Sequence, residues 1–149
     1  MPTIKAVLDT SVMVSVAFAR EGLARELRDL IAEEAFILVT SKAIMAELYR
    51  VLRYPRILAR FHPSSEDIDE FIGLILEKAL LMPGRYRLHK IQDDPTDDMF
   101  LACALEAGAD YIVSRDTHLR NLKQFHGTKI IGVKEFIDQV KTQGAGFKS

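Results

Sequence analysis

The sequence predicts an α/β domain of three layers, α/β/α, around a central parallel sheet of four to five strands. Three observations carry this. Short apolar, β-branched runs at residues 4–8, 36–39, 86–91, 111–113 and 129–132 alternate with helical patterns, the rhythm of a parallel sheet with crossover helices. The runs at 4–8 and 111–113 are each followed within three residues by an aspartate, Asp9 and Asp116. Residues 99–107 are apolar on almost every side, as in a helix covered on more than one face.

Taken in order, residues 4–8 (IKAVL) form the first strand, ending at Asp9 and followed by Thr10-Ser11. Residues 12–19 continue as a buried helix. Gly22 interrupts, and residues 23–35 restart with Leu23, Leu27 and Leu30 separated by charges, a surface helix. Residues 36–39 are a second buried strand. Thr40-Ser41 caps a helix over 42–53, whose apolar face is Ile44, Leu48, Val51 and Leu52, with Glu47 at its edge. Pro55 ends or kinks that helix. Ser64 to Asp67 starts another, with Ile68, Phe71, Ile72 and Ile75 on one side. After Pro83-Gly84 a strand is expected near 86–91. Asp94-Pro95 then gives an N-cap and a first-turn proline, with Asp97 at N3 and Asp98 in the first turn. Beyond Asp116, residues 117–124 read as a short helix or turn, 129–132 as the last strand and 133–140 as a closing helix. Residues 1–141 make one domain, with 142–149 (TQGAGFKS) a frayed tail.

The chain has 149 residues, enough to bury a core without staples. A single cysteine, Cys103, excludes an intrachain disulfide and reads as a small core residue. No run of 18 apolar residues and no signal-peptide pattern occurs, so a soluble cytoplasmic protein is expected. A net charge of −1 argues against nucleic-acid binding through bulk charge but leaves local patches open. The absence of a glycine-rich phosphate loop argues against a nucleotide-driven motor.

Four acids stand out by position: Asp9 after the first strand, Glu47 on the helix edge, Asp98 in the first turn of the apolar helix, and Asp116 after a later strand. Sites in open α/β sheets form beyond the carboxyl ends of strands. Carboxylates that converge repel one another unless a cation joins them, and an all-oxygen set suits Mg²⁺ or Mn²⁺. Such an ion serves phosphate chemistry. Each acid alone has an ordinary structural explanation: Asp94 and Asp97 as caps, Asp9 as a turn residue, Glu47 as a surface partner of Arg50. The ordered set is the informative feature.

The motifs VLDTSV (7–12), SKAIMAEL (41–48), DDMFLACAL (97–105) and YIVSRDTHL (111–119), with IIGVKEFI (130–137) closing, resemble the PIN domain family. Within it they are similar to the stand-alone prokaryotic VapC-like toxins of toxin–antitoxin pairs. The resemblance implies a metal-dependent ribonuclease with catalytic and metal-ligating acids Asp9, Glu47, Asp98 and Asp116, supported by hydrogen bonds from Ser11 and Ser114. It also implies an RNA substrate, an antitoxin partner and a homodimer. His118 departs from the pattern, since related sequences often carry an Asp two residues after the fourth acid; one ion or two is left open.

Residues 49–62 (YRVLRYPRILARFH) carry Arg50, Arg53, Arg56 and Arg60 without an acid, with Tyr49, Tyr54 and Phe61 among them. Guanidinium forks match phosphates and aromatics stack on unpaired bases, so this segment, with Arg115 and Arg120, is a candidate RNA contact. A solvated face or a docking surface for a protein partner is the competing reading. The homodimer is expected to use helices between Ser41 and Leu76. A haloacid-dehalogenase-like phosphatase would need a second acid two residues after Asp9, where Ser11 stands. A non-catalytic RNA-binding or protein-docking module of the same fold is the alternative from another class.

Overall fold

Asp9 joins the first strand to the first helix with no loop between them. In a computed structural model that describes residues 3–85 and 98–148, strand β1 (Lys5–Leu8) runs directly into helix α1 (Thr10–Ala17). Asp9 is the N-cap: its backbone is extended and its side chain accepts from the Val12 N–H. Helix α2 (Gly22–Ala32), strand β2 (Ile37–Ser41), helix α3 (Lys42–Val51) and helix α4 (Pro55–Phe61) follow. Helix α5 (Ser65–Lys78) and strand β3 (Leu80–Met82) come next, then helix α6 (Asp98–Ala107) and strand β4 (Tyr111–Val113). The chain closes with helix α7 (Thr117–Asn121), strands β5 (Gln124–Phe125) and β6 (Thr128–Ile131), and helix α8 (Val133–Lys148).

The strands form one sheet in the order β3-β2-β1-β4-β6-β5. All pairs are parallel except β5 with β6. Side chains alternate between its two faces, as the period of two requires. Ala6, Leu8, Leu38, Val113 and Ile131 point into one core with residues of α1, α2, α3, α5 and α8. Val7, Val39, Ile112 and Ile130 point into the other, against Phe100, Leu101, Cys103 and Ala104 of α6 and Leu119 of α7. Both faces are covered, which gives the three layers expected. It also explains why the strands read as unbroken apolar runs rather than alternating ones.

The differences from the sequence reading have physical causes. The sheet has six strands rather than four to five. Its edge strand β3 lies at Leu80–Met82, directly after α5, and pairs with β2; the strand expected at 86–91 and the cap at Asp94-Pro95 fall outside the described residues. β5 is a two-residue strand turned onto β6 through His126 and Gly127, whose φ values are 49° and 85°. That is the geometry of a tight hairpin, and two residues have no periodicity to read. Pro55 begins a helix rather than only ending one: it occupies the first turn of α4, where a proline gives up no internal bond. The closing helix runs to Lys148, eight residues past the expected end near Val140, over the segment read as a frayed tail. Among the described residues no helix is long and apolar enough to cross a membrane.

Candidate active site

β1 and β4 are neighbours, so their carboxyl ends bring Asp9 and the segment Ser114 to Asp116 together. The Asp9 N–H donates to the Val113 carbonyl, 3.0 Å, extending the β1–β4 ladder by one bond and fixing the Asp9 backbone. Its carboxylate is held as firmly. Oδ1 accepts from the Ser11 hydroxyl and from the Val12 N–H, each at 2.9 Å, and Oδ2 accepts from the Ser114 hydroxyl. Ser114, fully buried, accepts in turn from the Asp116 N–H at 2.9 Å. Asp116 caps α7, its Oδ1 accepting from the His118 N–H at 2.7 Å and more weakly from Leu119 at 3.4 Å. Two aspartates at the ends of adjacent strands are thus joined through one serine hydroxyl.

Asp9 is 3% exposed. Burial pushes its pKa above the usual carboxylate value; the bonds from Ser114, Val12 and Ser11 pull it back in part, and the charge of Asp116 raises it further. No Lys or Arg among the described residues forms an ion pair with it. A buried carboxylate beside a second carboxylate is a site that favours a cation.

Above these groups lies a cleft of about 420 Å³ whose walls include Asp9, Glu47 and Asp116 together with Arg56, Arg60 and Arg115. Tyr54, Phe61 and Phe100 supply its aromatic surface. Three of the four expected acids therefore face one space. Asp98 is buried in the first turn of α6, two residues before Phe100, and is not among the lining residues. The donor chemistry, hard carboxylate oxygens without sulfur or imidazole, fits Mg²⁺ or Mn²⁺. Among the described residues, however, no three His, Cys, Asp or Glu side chains are grouped closely enough to hold an ion. The fit is one of chemistry and placement rather than of a closed ligand cage.

The arginines divide. Arg56 and Arg60 on α4 line the cleft. Arg53 instead pairs with Asp69 at 3.9 Å, lies over the Tyr49 ring at 3.6 Å and donates to the Tyr49 carbonyl. Arg50 donates to the Tyr54 hydroxyl at 3.4 Å. Asp69 lies outside residues 49–62, so reading that segment alone hid an acidic partner. Arg115 lines the cleft beside Asp116, Arg120 lies beyond it, and His118 is exposed on α7. Thr10, placed by the sequence only as the residue after Asp9, also lines the cleft, and its buried hydroxyl has no hydrogen-bond partner among the described residues. Its position between Asp9 and Ser11 was the available signal.

A parallel sheet covered on both faces, with acids gathered beyond the carboxyl ends of its strands, defines an α/β domain with one acidic cleft. The chain belongs to the PIN domain family, whose profile matches residues 5–118 and so spans all four acids. Among curated proteins no sequence match is found. Solved structures do match. PAE2754 from Pyrobaculum aerophilum is 13% identical with a TM-score of 0.62, over 93% of this chain and 90% of that one. VapBC2 from Rickettsia felis, solved bound to a DNA fragment from its promoter, is 11% identical with a TM-score of 0.58, over 87% and 98%. Mycobacterium tuberculosis VapC20, described as a toxin cleaving the sarcin-ricin loop, is 12% identical with a TM-score of 0.54, over 83% and 98%. At such identities the likeness is one of fold. At that level the expected similarity to VapC-like PIN proteins is met.

Proposed function

We propose that this PIN-domain protein is a divalent-metal-dependent endoribonuclease that hydrolyses RNA phosphodiester bonds, the toxin of a cytoplasmic toxin–antitoxin pair. The observation that carries this reading is the shared cleft: Asp9, Glu47 and Asp116 face the same space as Arg56, Arg60 and Arg115. Acids and guanidinium groups in one cleft suit a substrate that is itself an anion and is cut with the help of a cation. Asp9, Asp116, Glu47 and Asp98 are the residues that would hold Mg²⁺ or Mn²⁺, which when bound supplies an activated water and offsets charge on the phosphate.

The chain's own groups do the rest. Ser11 and Ser114 orient the Asp9 carboxylate, and Ser114 ties it to the Asp116 backbone. Arg56, Arg60 and Arg115 draw in and orient the phosphate. Tyr54 gives unpaired bases a face to stack on. Together these groups place the scissile phosphate over the acids.

Cleavage of a mixed RNA pool with Mg²⁺, with Mn²⁺ and with EDTA tests the proposal. Cleavage is expected with either metal, none with EDTA, and a loss of at least about a hundredfold in Asp9→Asn. A second reading, a non-catalytic RNA-binding or protein-docking module, is favoured by the lack of three grouped metal donors among the described residues. RNA that stays intact with both metals would overturn the first reading. The partners proposed with the nuclease are an antitoxin and a second copy of the chain.

A further inference from the structure

A second pocket adjoins the cleft. It has a volume of about 420 Å³ and is walled by Ser15, Ser114, Arg115, Arg120, Gly132 and Val133, together with the start of α2. Ser15 and Arg115 line both spaces, so the two are neighbours. Their chemistry differs. The cleft contains three acids, whereas no Asp or Glu lines the second pocket and two arginines do. Among the described residues neither guanidinium is in an ion pair. Arg120 lies against Gly132, where an added Cβ would stand 3.6 Å from its Cζ. With no side chain at Gly132, the pocket stays open beside the guanidinium.

Two exposed guanidinium groups and no acid make the lining of this space positively charged, which suits an anion. The donors suit a tetrahedral oxyanion, which a guanidinium fork grips in bidentate fashion. Resting on the nuclease reading, we propose that this pocket holds the backbone phosphate next to the scissile one, with Arg120 as its specific ligand and Arg115 shared between the two phosphates. The substrate is then a single strand crossing the carboxyl edge of the sheet, from Arg56 and Arg60 on α4, over Asp9 and Asp116, to Arg120. Its length requirement follows: a strand too short to fill this pocket is a poor substrate even when its scissile bond is present.

The experiment compares wild type, Arg120→Ala and Gly132→Asp on single-stranded RNA oligonucleotides in which one phosphate at a time is replaced by an uncharged methylphosphonate. Gly132→Asp keeps both arginines and places an acid in the pocket, and its Cβ meets only ordinary contact. Both variants are expected to raise KM about tenfold or more through loss of a charged contact, with kcat little changed. Arg120→Ala should also flatten the log–log salt dependence of binding by about 0.7. One methylphosphonate position adjacent to the cleavage site should weaken wild type as much as the variants and weaken the variants no further. Uniform sensitivity along the strand, or unchanged KM in both variants, overturns the proposal. So does an unchanged salt slope coupled to loss of binding to an acidic protein partner, which would assign the pocket to docking. If wild type cleaves no RNA, the nuclease reading fails. The same variants are then compared by anisotropy with labelled RNA, where equal salt slopes overturn the phosphate pocket as well and a reduced slope sustains the Arg120 phosphate contact alone.

Discussion

Asp9 is where burial, hydrogen bonding and charge meet. The folded protein holds its proton more tightly than the unfolded chain, because burial raises its pKa. Between the ordinary carboxylate value, about 3.9, and the raised one, stability falls as pH rises; above both, the cost of the buried charge is fully present. Asp9→Asn removes that charge while its amide oxygen still accepts from Val12 and Ser11. In metal-free buffer the variant should therefore melt above wild type at pH 8, with the gap closing as the pH is lowered to about 4. Mg²⁺ or Mn²⁺ should raise the melting temperature of wild type alone. Thermal scans with EDTA and with each metal decide this; a variant that melts lower at pH 8 would mean that the bond from Ser114 outweighs the charge. Cys103 is a contrasting buried group. Its thiol is pushed up to about 12, first by burial and then by Glu106, so it packs as a small apolar side chain.

Helix starts set the geometry that these residues need. α1 begins on Asp9 itself, α3 on Ser41, whose hydroxyl accepts from the Ile44 N–H at 3.3 Å, and α7 on Asp116. Two of the three caps are therefore also proposed site residues, so mutating either confuses helix stability with chemistry. α5 is free of that confusion. Ser64 and Asp67 form a reciprocal capping box, with bonds of 3.0 and 2.9 Å, and Phe71 and Ile75 on the same helix are fully buried. Ser64→Ala should cost about 1 kcal/mol and lower the melting temperature by about 2–4 °C. Phe71→Ala should cost about 3–5 kcal/mol. Neither should change the RNA cleavage rate of the fraction that remains folded. Calorimetry beside a cleavage assay checks both, and a rate that falls with Ser64→Ala would connect α5 to the site.

Charge across the molecule is uneven although its sum is −1. Arg56, Arg60 and Arg115 share the cleft, while Arg53 is occupied by Asp69 and Tyr49. Replacing Arg56 and Arg60 together by alanine should flatten the salt dependence of RNA binding by about 1.4, two contacts at about 0.7 each. Arg53→Ala should leave the slope unchanged, since its guanidinium is already engaged. Titration on the Asp9→Asn protein, which spares the RNA, measures both; equal effects from all three would erase the division. The proposed homodimer is argued from α3, α4 and α5, where Tyr49, Leu58 and Leu76 remain 49%, 40% and 54% exposed. Light scattering should report twice the 16.8 kDa chain mass, and a monomer would leave those side chains to another partner.

Much of the domain is legible in the sequence. Covered parallel strands must be apolar on both faces, so residues 4–8, 36–39, 111–113 and 129–132 read as strands. Backbone donors at helix starts need side-chain acceptors, so Ser41 and Ser64 read as caps. Asp9 and Asp116 were readable as strand-end acids because position along a strand is a local property. Local pattern ran out elsewhere. β5 is too short for a period, and β3 is a strand only because β2 lies beside it. α8 continues through Gly144 and Gly146, which intrinsic propensity disfavours. Which acids face the cleft, which arginines are already paired, and that Ser114 links two aspartates were decided by the tertiary structure alone. Each depends on the distance between residues far apart in the chain, such as Asp9 and Ser114, and that distance exists only once β1 and β4 are paired.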